Sequence, residues 1–192
     1  MASFYFRYGV MKSGKSVHLM QVAHNYEEKD MKVALLKPNI DKKGDDYVIS
    51  RVGIKRKVDY LVDENKELKE YLDNLEDVKC IIVDEAQFLS PENVDTLYEY
   101  NKKNNVPVIC YGLKSDFRTH AFPGSIRLFE LADVMEELVT ICECGRKAKF
   151  NARVVDGEYI LHGEQVAIDG IDASYEVLCG NCYLKKVLKI DK

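Results

Sequence analysis

The chain has 192 residues, 46% of them hydrophobic, with 28 basic and 32 acidic side chains and a formal net charge of −4. That length suits one domain with a small appendage and an ordinary buried core, while the acidic balance argues against general affinity for a nucleic-acid backbone, which shows as a basic stripe. No cationic start runs into an apolar stretch, and no stretch reaches the roughly 18 apolar residues that a bilayer span needs, so the sequence predicts a soluble, cytoplasmic protein without leader or membrane contact.

In chain order, SFYFRYG reads as a short strand ending in glycine, followed by a polar helix over about residues 15–29. MKVALLKP is a second strand, stopped by Pro38. Residues 39–57 carry many charges and little periodicity and are expected to form a mobile, solvated loop. ENKELKEYLDNL places Leu68, Leu72 and Leu75 on one helical face. KCIIVDE is a continuous apolar strand of the kind buried on both faces. Ser90-Pro91-Glu92 offers a capping hydroxyl and a first-turn proline for a helix reaching about Lys103, and VPVICYG is a fourth strand. This alternation predicts an α/β fold with a parallel sheet and helices on both faces. Near residue 140 the texture changes, and RKAKFNARVV and GEYILHGEQVAI predict short antiparallel strands. The expected division is a nucleotide-binding domain over 1–140 and a smaller domain over 141–192.

Gly9, Val10, Met11, Lys12, Ser13, Gly14, Lys15 and Ser16 fit the phosphate-loop pattern G-x-x-x-x-G-K-[ST]. Its glycines let the backbone curl so that N–H groups point at phosphate oxygens. Lys15 adds charge against the β- and γ-phosphates, Ser16 offers a hydroxyl to Mg²⁺, and the helix that starts here contributes its positive end. Downstream, Asp84 and Glu85 end an apolar strand. Asp84 suits a Mg²⁺ position and Glu85 suits a general base. The two motifs together predict handling of ATP or GTP and leave the phosphate acceptor open.

Cys142 and Cys144 are separated by 34 residues from Cys179 and Cys182. Two close thiolate pairs suit a closed, structural Zn²⁺ site, although the single-residue gap in the first pair is tighter than usual. Cys80 and Cys110 sit inside apolar runs and read as buried strand residues.

With these features placed, the chain resembles the type II thymidine kinases, through GVMKSGKS, VDEAQF, YGLKSDFRTHAFPGS and YEVLCGNCY in that order. The resemblance implies a RecA-like P-loop domain and a zinc-bound lasso closing over the nucleoside. It implies ATP and Mg²⁺, with Gln87 joining the ATP and Mg²⁺ residues, and Glu85 acting on the 5′-hydroxyl of thymidine. Phe117 and Tyr175 are then expected against the thymine ring, with Phe122 also in the substrate site. Met11, Leu113 and Asn151 would surround the 5-methyl group, and backbone groups over 166–175 would grip the base. A homotetramer inhibited by thymidine triphosphate is implied as well. The family's Asp-x-Arg appears here as Asp41-Lys42-Lys43, which keeps a charge but loses the arginine fork. Two other readings stay open on the residues alone: an ATP-driven motor or switch with a zinc module for nucleic acid, and a kinase for another small alcohol or nucleoside.

Overall fold

The structure, a computed structural model, describes residues 1–39, 46–63, 67–165 and 173–190. Along the chain come β1 (Phe4–Gly9), α1 (Lys15–Glu27), β2 (Lys32–Pro38), β3 (Tyr47–Ile49), β4 (Lys55–Lys57), β5 (Tyr60–Val62) and α2 (Glu67–Asp73). Then follow β6 (Val78–Val83), a 3₁₀ turn (Ala86–Phe88), α3 (Pro91–Asn104), β7 (Val108–Leu113), α4 (Pro123–Leu131) and β8 (Val134–Glu137). The remaining elements are β9 (Phe150–Val155), β10 (Glu158–Ile160), β11 (Ala173–Leu178) and α5 (Gly180–Lys186).

The α/β expectation is met by a six-stranded sheet in the order β5-β2-β6-β7-β1-β8, every neighbouring pair of which is parallel. Strand alternation sorts its residues onto two faces. Phe4, Phe6, Ala34, Leu36, Ile81, Val83, Val108 and Cys110 pack with Leu68 and Leu72 of α2, Val94 and Leu97 of α3, and Leu128 of α4. The alternate residues Val33, Leu35, Cys80, Ile82, Ile109 and Tyr111 pack under Leu19, Met20 and Ala23 of α1. Burial on both faces is why β2, β6 and β7 read as unbroken apolar runs. The capping signal also holds, since Ser90 Oγ accepts from the Asn93 N–H at 3.2 Å and Pro91 opens α3.

Beyond this sheet, β10-β9-β11 form a small antiparallel sheet. Its core joins Ala148, Ala152, Leu178, Tyr183 and Val187 to Val10 of the phosphate loop. The expectation of a plain loop over 39–57 needs correction. β3 and β4 pair antiparallel around a turn containing Gly53 at φ +85°. Its apolar burial rests on single valines, Val48 and Val58, which show no periodicity in so short a segment. Residues 40–45, including Asp41, Lys42 and Lys43, lie outside the described residues. The sequence reading also passed over β5, α4, β8, β11 and α5.

Candidate active site

Parallel strands present their C-terminal ends to one edge of the sheet, where ligands of such sheets bind. Here those ends deliver Gly9 from β1, Val83 from β6 and Leu113 from β7. The phosphate loop springs from β1. Gly14 adopts φ +81° as the N-cap of α1, and no heavy atom would stand within 4 Å of a Cβ there. Gly9 has no such room, since a Cβ would meet Ser13 Oγ at 2.4 Å and the Leu138 carbonyl at 2.6 Å. Lys15 is buried and its Nζ donates to the Val10 carbonyl at 2.9 Å. Burial pulls its proton affinity down against the opposing pull of Glu85 and Asp84, while the positive charge of Arg51 pushes the same way as burial.

Asp84 is 4% exposed, and its Oδ1 is buried without a hydrogen-bond partner among the described residues. Desolvation, and then the neighbouring Glu85 carboxylate, push its carboxyl up to about 7. An orphaned buried carboxylate oxygen beside a phosphate loop fits a magnesium position, because a hard cation takes oxygen ligands. Glu85 has backbone φ +50°, in the left-handed region, and leads into the 3₁₀ turn. Gln87, 1% exposed, donates through Nε2 to Glu85 Oε2 at 2.6 Å and accepts the Leu113 N–H at 3.0 Å. One amide therefore ties the carboxylate to the end of β7.

Two cavities flank this pair. One of about 380 Å³ is lined by Met11 to Ser16 of the phosphate loop together with Glu85, Leu113 and Arg51. The other, of about 950 Å³, is lined by Gln87, Phe88, Phe122 and Gln165, among others. Glu85 and Gln87, hydrogen bonded to each other, stand one in each wall. Phe122 meets Phe88 edge to face at 5.3 Å.

Asn151, on β9, accepts the Met11 N–H at 2.8 Å and donates to the Ser115 carbonyl at 3.2 Å. Phe117 is 2% exposed and its ring face carries the Arg153 guanidinium at 3.9 Å. Arg153 also donates to Tyr175 Oη at 2.8 Å and to the Glu164 carbonyl at 3.0 Å. The sequence reading paired Phe117 with Tyr175 and missed the arginine between them. It also missed Asp116, whose buried carboxylate accepts from the backbone N–H groups of Arg118 and His120 and from the Arg118 guanidinium. An Asp-x-Arg inside YGLKSDFRTHAFPGS was the available signal for that turn. Arg153, at an inward position of a short strand, gave none.

The four C-terminal cysteines converge. Their sulfurs all lie within 4.8 Å of one another, with Cys144 and Cys179 3.5 Å apart. Sulfurs on a tetrahedral ion with bonds near 2.3 Å would stand roughly 3.8 Å apart, so this set could hold a metal ion. The tight Cys142-x-Cys144 gap is accommodated by a turn in which the Gly145 N–H donates to the Cys142 carbonyl and the Cys142 N–H to the Arg146 carbonyl, with Gly145 at φ +80°. The second pair lies at the start of α5, whose Tyr183 donates through its hydroxyl to the Phe117 carbonyl at 2.7 Å.

The family model described as Thymidine kinase matches residues 2–183. The chain belongs to the thymidine kinase family. Among relatives, it is 44% identical to a protein named Thymidine kinase from Chromobacterium violaceum, over 95% of this chain and 98% of that one. It is 42% identical to a Thymidine kinase from Lactiplantibacillus plantarum, over 92% and 93% of the two chains. It is also 41% identical to one from Lactobacillus johnsonii, over 93% and 94%. The blocks that carry the family resemblance, GVMKSGKS, VDEAQF and YGLKSDFRTHAFPGS, each contribute residues to the cavity walls described above.

Proposed function

We propose that this chain is a thymidine kinase that moves the γ-phosphate of ATP to the 5′-hydroxyl of thymidine and releases ADP and thymidine monophosphate. One observation carries the reading within this family: the Glu85–Gln87 pair faces a phosphate-loop cavity on one side and a larger, partly aromatic cavity on the other. A donor on the first side and a nucleoside on the second would meet at the Glu85 carboxylate. The 5′-oxygen attacks the γ-phosphorus, Glu85 takes the hydroxyl proton, and the bond to the ADP oxygen breaks. Lys15 and the N–H groups at the start of α1 neutralise charge on the β- and γ-phosphates. Asp84 and Ser16 are the residues that would hold Mg²⁺, which when bound screens the phosphate oxygens.

On the acceptor side we assign Phe122 to the base, and we assign Met11 and Leu113, which also line the phosphate-loop cavity, to the border facing its methyl group, with Asn151 holding the wall together. Phe117 and Tyr175, with Arg153 wedged between their side chains, shape the pocket. Backbone groups at 166–172, which lie outside the described residues, would read the O2, N3–H and O4 edge. The four cysteines take zinc as a structural ion, which fits a thiolate set with no spare position. We also assign a cytoplasmic homotetramer, subject to feedback by thymidine triphosphate, with a division between the two domains near residue 140.

The test is a panel of deoxynucleosides with ATP and Mg²⁺. Thymidine should lead in kcat/KM, with deoxyuridine next, because one missing methyl group in an apolar pocket weighs about 1–3 kcal/mol. Deoxycytidine reverses part of the hydrogen-bonding edge and should fall by about 10⁴ or more. A leading deoxycytidine or purine would overturn the substrate assignment. An ATP consumption rate that no nucleoside raises would overturn the kinase reading.

A further inference from the structure

The β3–β4 hairpin, expected from sequence to be a solvated loop, forms one wall of the phosphate-loop cavity. Its turn is well built. The Ser50 N–H donates to the Ile54 carbonyl at 2.8 Å, the Gly53 N–H to the Ser50 carbonyl at 3.0 Å, and the Ile54 N–H to Ser50 Oγ at 3.0 Å, with Ser50 buried. Its base is anchored as well. Val48 and Val58 share the core with Leu19, Met20 and Ala23 of α1, and Arg56 donates to Glu27 Oε1 at 2.7 Å at the end of that helix. The hairpin is thus held against α1, and it presents residues 51 and 52 to the cavity that the phosphate loop lines.

Of its two arginines, Arg56 is paired, whereas Arg51 makes no hydrogen bond or ion pair among the described residues. Arg51 instead lines the cavity that also holds Lys15 and Glu85, and its charge opposes that of Lys15 across it. Two cations turned toward one cavity repel each other until an anion enters. A guanidinium presents a planar fork that binds phosphate oxygens through two parallel hydrogen bonds, which a lysine cannot do. Beside it, Ile49 and Val52 are 52% and 69% exposed and give the cavity mouth an apolar edge, which suits the nucleoside end of the same ligand.

Resting on the reading of this cavity as the donor site, we propose that Arg51 is a phosphate-binding residue that contacts the terminal phosphates of bound nucleoside triphosphate from the hairpin wall, while Lys15 does so from the loop wall. The hairpin supplies the arginine fork that Asp41-Lys42-Lys43 does not contain.

The experiment compares wild type, Arg51→Ala and Arg51→Lys by direct titration with ATP, ADP and AMP, and by thermal melting without ligand. Removing a charge-assisted contact should weaken ATP binding by about 10- to 100-fold. AMP binding should stay within about twofold, and Arg51→Lys should recover part of the loss. Ligand-free Arg51→Ala should melt no lower than wild type, since the arginine adds repulsion rather than support in that state. Arg51→Ala binding ATP as tightly as wild type overturns this inference while leaving the donor site standing. A lower ligand-free melting point with equal losses for ATP and AMP assigns Arg51 a structural role and overturns it too. A wild-type protein that binds no ATP overturns the donor reading, and this inference with it.

Discussion

Asn151 reaches across 140 residues of sequence to accept the Met11 N–H, and its other amide atom donates to the Ser115 carbonyl. The small antiparallel sheet thereby grips the phosphate loop and the loop after β7 with one side chain. Met11 lines the donor cavity, and Ser115 lies two residues beyond Leu113. Asn151→Ala would leave the part-buried Met11 N–H and the buried Ser115 carbonyl unsatisfied, a loss of about 1–3 kcal/mol. Urea denaturation should register that loss, and KM should rise for ATP and thymidine alike. A rise confined to thymidine would place Asn151 in the base pocket alone.

Glu85→Gln keeps the shape of the side chain and removes its capacity to take a proton. Phosphate transfer should fall by about 10²–10⁴, while ATP titration stays near wild type. The neighbouring Gln87 can still donate to the new amide oxygen, so the 3₁₀ turn should hold. An equal loss of ATP affinity would assign Glu85 to the metal rather than to the proton.

Asp84 sets a pH dependence. Its carboxyl titrates near pH 7 in the folded, metal-free protein, whereas in an unfolded chain it does so near about 3.9. Between those values the folded state holds a proton that the unfolded state has lost, so stability falls as pH rises through that window. Asp84→Asn removes this dependence. In metal-free urea melts at about pH 5 and about pH 8, the variant should lose less stability on going to the higher pH, and it should gain over wild type at the upper one. Wild type should bind Mg²⁺-ATP better as pH rises through 7, and the variant should not.

Cys179→Ser tests the thiolate cluster. Elemental analysis should find one metal ion per wild-type chain and substantially less in the variant, with a lower melting temperature because metal closure contributes folding free energy. Since Tyr183 of α5 holds the Phe117 carbonyl, KM for thymidine should rise more than KM for ATP. Metal-free protein that keeps full stability and activity would remove the cluster from the account.

The central sheet was legible because its strands are buried on both faces, which writes continuous apolar runs into the sequence. The phosphate loop was legible because its backbone geometry demands glycines at fixed spacing. Shorter elements left weaker traces: β5, β8 and the two strands of the β3–β4 hairpin span three or four residues each, too few for a period to emerge. The interior polar clamps were harder still. Asn151 and Arg153 lie on one three-stranded sheet, yet their partners are Met11, Ser115, Phe117, Tyr175 and Glu164, mostly far away in sequence. A hydrogen bond across such a distance has no local pattern, so these roles appear only once the chain is folded.

The left-handed backbone at Glu85 has one more consequence. Glycine would adopt φ +50° without strain, whereas an L-residue there costs roughly 1–2 kcal/mol. A glycine at this position would relax the chain and leave the 3₁₀ turn with no carboxylate. Natural drift toward stability therefore runs against turnover at this residue, and a library of random variants sorted for heat resistance alone should enrich inactive proteins carrying Glu85→Gly.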